Sequence, residues 1–172
     1  MSLEKAYKLI EEARIELYSH IAGRRVEEDV ASLPAGDCNP LGSSATWDGR
    51  VLKFIIPDYP PRIADEKRLE RKLRDRWIRM MMDAFYGLEP QPAFEEKVLC
   101  VIKYVLPLCV EWDVDNRWVK PFIDGLRYLR IIKSDGWNNM AYMVTGDVDK
   151  LNPRTEIYVA ELAFIEEIIA ML

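Results

Sequence analysis

Apolar residues recur along this chain with two periods, and the change from one to the other marks out its elements. In residues 3–22, Ala6, Leu9, Ile10, Ala13, Leu17 and Ile21 share one face of a helix, with Ser2 placed to cap it and Gly23 to stop it. A second helical pattern runs from Asp65 to Tyr86, where Leu69, Leu73, Trp77, Met80 and Ala84 line the buried face. A third covers Trp118 to Arg130 through Val119, Phe122, Ile123 and Leu126. Strands are expected at Val51–Ile56, Lys97–Leu106, Asn139–Thr145 and Thr155–Ala160. The second of these is so uniformly apolar that it reads as a strand buried on both faces. Residues 31–49, rich in Gly, Pro, Ser and Asn, read as an irregular loop.

These elements predict an α+β fold: a single domain with a mixed β-sheet of about four strands flanked by helices, and extra N- and C-terminal helices. Residues 1–49 would supply the N-terminal helix and loop, and residues 50–160 the core domain. Residues 161–172 would form a helix carrying Phe164, Ile165, Ile168, Ile169 and Leu172 that packs on the core or on a partner subunit.

Composition narrows the class. The chain has 172 residues, 49% hydrophobic and 31% charged, as in an ordinary globular protein with a sizeable core. Its most apolar stretch is interrupted by Lys103 and Pro107, so no membrane span is expected. The N-terminus reads as an acidic helix rather than an export signal, which points to a cytoplasmic protein. Cys38, Cys100 and Cys109 lack metal-ligand spacing and read as reduced thiols, while His20, the single histidine, rules out a histidine-based triad or zinc site.

Chemistry gathers in one region. Asp113 and Asp115, two positions apart on an extended segment, project to the same side with Cα atoms about 6.5–7 Å apart, close enough to share a hard cation. The helix and short return that follow could carry Asp135 back beside them. Three carboxylates with open coordination positions suit Mg2+, or Mn2+ in its place, and hence phosphodiester hydrolysis. Crowding of that kind also predicts that one of the three is hard to ionise without metal. Against this stands the reading of Asp113-Val114-Asp115 as a solvated turn. Asp147-Val148-Asp149 has the same spacing with no linked residues after it, and reads as such a turn. A calcium loop beginning at Asp113 is excluded, because Arg117 and Trp118 occupy positions that need an oxygen ligand and a glycine.

Asp-X-Asp-Asn at 113–116, Lys120-Pro121, Asp124-X-Leu126 and Lys133-Ser134-Asp135 together resemble the signature of the RusA family of Holliday-junction resolvases. The likeness spans roughly residues 50–160, including the order of strand, Pro60-Pro61, basic helix and long strand upstream. It implies a Mg2+-dependent endonuclease that cuts branched DNA as a homodimer. Asp113, Asp115 and Asp135 would be its metal-binding catalytic acids, Lys120 would assist at the scissile phosphate, and Asn116 would hold the turn. Asp124 would be either an outlying ligand or the ion-pair partner of Lys120, four residues earlier. Three features depart from the family pattern: Ser134 stands where an aspartate is common, the interval from Asn116 to Lys120 is one residue longer, and the family's usual lysine on the following strand has no counterpart among Met140 to Thr145. They leave open a second function, a non-catalytic RusA-like module that binds nucleic acid or a protein partner.

The net charge of −5 argues against DNA until it is mapped. Residues 1–49 and 147–172 each contribute −4, so residues 50–146 carry +3. Arg62, Lys67, Arg68, Arg71 and Lys72 lie on or before the second helix and, with Arg117 and Lys120, are the candidate DNA-backbone contacts. The competing reading of that helix is a solvated face laced with ion pairs.

Overall fold

The computed structural model describes residues 42–60, 67–108 and 118–172, together with residues 5–6, 9–10, 13–14 and 16–17; for 67–73 it describes the backbone. The chain divides into two compact units, Met1–Pro40 and Leu41–Leu172. The described residues of the first unit are helical, as the apolar period of residues 3–22 predicts.

The second unit runs β1 (Ser44–Trp47), β2 (Val51–Ile56), α1 (Lys67–Phe85), β3 (Val98–Leu106), α2 (Lys120–Tyr128), β4 (Met140–Val148) and β5 (Arg154–Glu161). It ends in a 3-10 turn at Leu162–Phe164 and α3 (Ile165–Met171). Its strands form one five-stranded sheet in the order β1-β2-β5-β3-β4. β3 and β4 are parallel and the other neighbours antiparallel, so the expected α+β class with a mixed sheet is observed.

The fifth strand, β1, forms where an irregular loop was expected. Its cause is the Asp48-Gly49 turn, which pairs Trp47 with Leu52. Asp48 Oδ1 accepts the backbone N–H of Arg50 at 2.9 Å and of Val51 at 2.8 Å, while Gly49 takes φ +97°, a left-handed value that a side chain would resist. Asp-Gly between β-forming residues is a strong hairpin signal, outweighed here by the Gly- and Ser-rich composition just upstream.

β3 is buried at every position, as its unbroken apolar run predicts, because it lies between β5 and β4 with both faces covered. Strand alternation sends Leu52, Phe54, Ile102, Tyr104 and Ile157 to one face. There Phe54 stacks on Phe85 of α1, with ring centroids 6.4 Å apart. Trp77 of α1 meets Phe122 of α2 edge to face at 5.1 Å, and Tyr104 lies 6.3 Å from the same Phe122. The opposite face, Val51, Leu99, Val101, Tyr158 and Ala160, is closed by Ile168 of α3 and by Phe164. α3 therefore packs on the sheet, tied to the β1–β2 turn by Arg50 and Glu167 at 2.6 Å, while Ile165, Ile169 and Met171 remain exposed.

Toward the C-terminal end of α3 that face turns polar. Lys103, the cation within β3, is buried and bonds Asp147 at 3.2 Å and the Leu172 carbonyl at 2.7 Å. Glu156, directly across from it, takes Arg154 at 2.6 Å, Lys53 at 3.5 Å and the Tyr158 hydroxyl. The second Asp-X-Asp, at 147–149, divides between two settings. Asp149 Oδ1 accepts the N–H groups of Leu151 and Asn152 in a turn, as expected, whereas Asp147, expected in the same turn, lies within β4 and pairs with Lys103. Cys100 is buried among apolar groups, which pushes its thiol up to about 12 and leaves it inert; Cys38 and Cys109 lie outside the described residues. Among the described residues no helix is long and apolar enough to cross a membrane.

Trp77 docks α2 onto α1, and its buried indole N–H has no hydrogen-bond partner among the described residues. Truncation and replacement should therefore differ. Trp77→Ala is expected to lower unfolding stability by about 3–5 kcal/mol. Trp77→Phe keeps the edge-to-face contact and removes the orphaned donor, so it should lower it by less than about 1.5 kcal/mol in urea melts.

Candidate active site

The connection from β3 to its parallel neighbour β4 contains all three proposed metal ligands, with Lys120 and Asp124 between them. Asp113, Asp115, Asn116 and Arg117 lie outside the described residues, as does Arg62. Lys67, Arg68, Arg71 and Lys72 fall on α1, but their side chains are likewise outside the description. Lys120, Asp124 and Asp135 are described.

α2 begins with Pro121 in its first turn, where the missing N–H costs nothing. Just before it, the Tyr104 hydroxyl reaches the Trp118 carbonyl at 3.4 Å, fixing the helix entry against β3. Pro121, Phe122, Gly125 and Leu126 are buried. Lys120, Asp124 and Arg127 follow one another at helical spacing away from that buried face. Lys120 Nζ lies 3.2 Å from Asp124 Oδ1, so of the two readings of Asp124 the ion pair is the one observed.

The helix stops in a Schellman turn. Arg130 N–H bonds the Arg127 carbonyl at 3.1 Å, and Ile131 N–H bonds the Leu126 carbonyl at 3.0 Å. Arg130 itself takes φ 58°, the left-handed position that glycine usually fills, so the backbone is strained here. Burial of Leu126 and Ile131 on either side holds it. Phe94 N–H then bonds the Ile131 carbonyl at 2.8 Å, and Phe94 packs edge to face on Trp47 at 5.7 Å. The chain emerging from α2 is thus fastened to the sheet before it reaches Asp135.

Ser134 shapes the next turn. Its Oγ accepts the Asn139 side-chain amide at 2.7 Å and the Gly136 N–H at 3.3 Å, while the Gly136 carbonyl accepts from Asn139 and Met140. The hydroxyl that stands in place of a second aspartate is therefore a structural acceptor. Asp135 projects outward, its Oδ1 accepting a hydrogen bond from Arg127 Nη1 at 3.2 Å. Its own backbone N–H, the Arg127 guanidinium and the more distant charge of Lys120 hold its carboxyl below the usual aspartate range. The reason is local: the described charged neighbours of Asp135 are cations, and it is solvated, while Asp113 and Asp115, whose crowding was expected to make at least one of the three acids hard to ionise, lie outside the described residues.

An exposed, ionised carboxylate on an ordered turn suits a hard divalent ion. Among the described residues, no three His, Cys, Asp or Glu side chains gather closely enough to hold a metal ion. Arg127 was missed by sequence reasoning. Its signal was legible, seven residues beyond Lys120 on the same helix and eight before Asp135.

No family model matches the chain, and no curated protein does. Among solved structures, the periplasmic domain of Helicobacter pylori MotB is similar over 80% of this chain and 89% of that one, at 11% identity and a TM-score of 0.36. A likeness that slight carries no argument about fold or activity.

If Arg127 and Lys120 keep Asp135 ionised, removing either should raise the carboxyl pKa toward its ordinary value. Carboxyl-carbon NMR titrations should show a larger rise for Arg127→Ala than for Lys120→Ala, in keeping with the direct hydrogen bond. An unmoved Asp135 in both variants would contradict the arrangement.

Proposed function

We propose that this chain is a RusA-like, Mg2+-dependent, structure-selective endonuclease that hydrolyses phosphodiesters of branched DNA such as Holliday junctions, acting as a homodimer in the cytoplasm. The observation that carries the reading is the ionised Asp135 on an ordered, exposed turn beside Lys120 and Arg127, in the same β3–β4 connection as Asp113-X-Asp115-Asn116.

In this reading Asp113, Asp115 and Asp135 hold the ion. The chemistry supplied by bound Mg2+, or Mn2+, would be activation of water for attack on phosphorus and neutralisation of charge on the leaving oxygen. Lys120 meets negative charge developing on the phosphoryl oxygens, and Asp124 orients its ammonium through the 3.2 Å pair. Arg127 pairs with the Asp135 carboxylate in the absence of the ion and would give way to it. Asn116 braces the turn between the first two acids and the helix. Arg62, Lys67, Arg68, Arg71, Lys72 and Arg117 grip the DNA backbone, using the net positive charge of residues 50–146. A four-way junction is twofold symmetric, and a homodimer would present two such sites to it.

One finding favours the second reading, a RusA-like module that binds nucleic acid or a protein without cutting. Lys120 and Asp135 both already have partners of opposite charge, as they would on a purely structural surface.

The two readings part in one assay. A labelled four-way junction is incubated with Mg2+ and the wild-type protein, Asp113→Asn or Asp135→Asn. Cleavage by the wild type, lowered at least about a hundredfold by either change, is expected if the acids act only in the transition state. Binding without cleavage, indifferent to both substitutions, would establish the module instead.

A further inference from the structure

Trp137 lies two residues beyond Asp135 in the turn shaped by Ser134, and it is 84% exposed. An indole is among the largest apolar side-chain surfaces, and leaving it in water forgoes the stabilisation that burial would give. The ring is not on a fraying segment. The backbone around it is pinned by the bonds from Gly136, Asn139 and Met140 described above, and Met140 is already the first residue of β4. Lys97 Nζ sits over the ring, 5.8 Å from its centroid. Arg127, Arg130 and Lys133 are exposed nearby in the chain; Lys133 is paired with Glu95. A solvent-facing aromatic plane, on a rigid turn with a cation over it, next to a proposed phosphodiester site, is the combination by which proteins take up an unpaired base and its phosphate. Bases inside a duplex already have stacking neighbours on both sides. A base at a branch point can lack one.

We propose that Trp137 is a stacking platform for a nucleobase left without a neighbour at a branch point, with Lys97 countering the adjoining phosphate. This inference rests on the nuclease reading for the nature of the ligand, and it assigns the preference for branched over plain DNA to one side chain.

The test measures affinity for a synthetic four-way junction and for a plain duplex of the same sequence, with Ca2+ in place of Mg2+ to prevent hydrolysis. Base–aromatic stacking of about 1–3 kcal/mol corresponds to a roughly 5- to 150-fold loss of junction affinity in Trp137→Ala. Duplex affinity should stay unchanged, and Trp137→Phe should restore most of the loss. Tryptophan emission should change on adding the junction, and less so in Trp137→Phe, which retains four of the five tryptophans. Because the ring is scarcely packed, both variants should melt with the wild type.

Equal affinity of Trp137→Ala and wild type for the junction overturns the inference, as does an equal loss on both DNAs. A protein that holds the junction through Trp137 yet leaves it uncut in Mg2+ keeps the stacking platform and overturns the hydrolase. One that binds and cuts as well without Trp137 overturns the platform alone. Absence of binding to either DNA overturns both.

Discussion

Parallel pairing of β3 with β4 is the constraint on which the rest depends. The two strands match from Val98 with Met140 to Leu106 with Val148, so the chain leaving β3 must travel back along the sheet before β4 can begin. A tight turn cannot make that journey, and a packed helix can. α2 is that helix, held to the sheet by Phe122 and Leu126, both fully buried, and by Trp77 from α1. Burying side chains of this kind is worth about 1.5–3 kcal/mol each, far more than any exposed ion pair on the other side of the helix. Apolar contacts therefore decide where α2 lies, and its charged residues are delivered to the surface as a consequence.

Two sets of charges in the molecule illustrate opposite uses of a carboxylate. Burial pushes Glu156 up, but the Tyr158 hydroxyl, Arg154 and Lys53 more than offset this and hold it below the usual glutamate range. Removing one partner there would strand a buried charge, which is severely destabilising. Among the described residues Asp135 has one direct charged partner, Arg127, and both are solvent-exposed. A pair of that sort contributes at most about 1 kcal/mol and is weakened by salt. Its carboxylate can exchange a guanidinium for a stronger cation at little cost. Glu156 reads as a structural group, and Asp135 as one free to bind.

Much of the fold was legible in the sequence. The apolar runs at Val51–Ile56 and Val98–Leu106 and the helical period through Trp77, Met80 and Ala84 depend on burial, and burial dominates the energetics of the core. β1 was overlooked, because four residues are too few to show a period of their own and the one signal for it, the Asp48-Gly49 turn, lies outside the strand beside a Gly- and Ser-rich stretch. Of the site, the expected return of Asp135 to the side of Asp113 and Asp115 falls on acids outside the described residues, and the charged groups that the structure does bring to Asp135 are Arg127 and, farther off, Lys120. The role of Ser134 was not legible, since a serine at that position announces a missing carboxylate and says nothing of the amide it bonds. Nor was the left-handed Arg130, where the sequence offers no glycine to mark the end of the helix.

The central claim is that acids far apart in the chain meet around a divalent ion, and ion binding tests it more directly than catalysis can. Isothermal titration of Mn2+ into the protein without DNA, repeated with Asp113→Asn and Asp135→Asn, should show uptake by the wild type that either substitution weakens more than about tenfold. Absence of uptake by the wild type, or uptake that Asp135→Asn leaves unchanged, would contradict it.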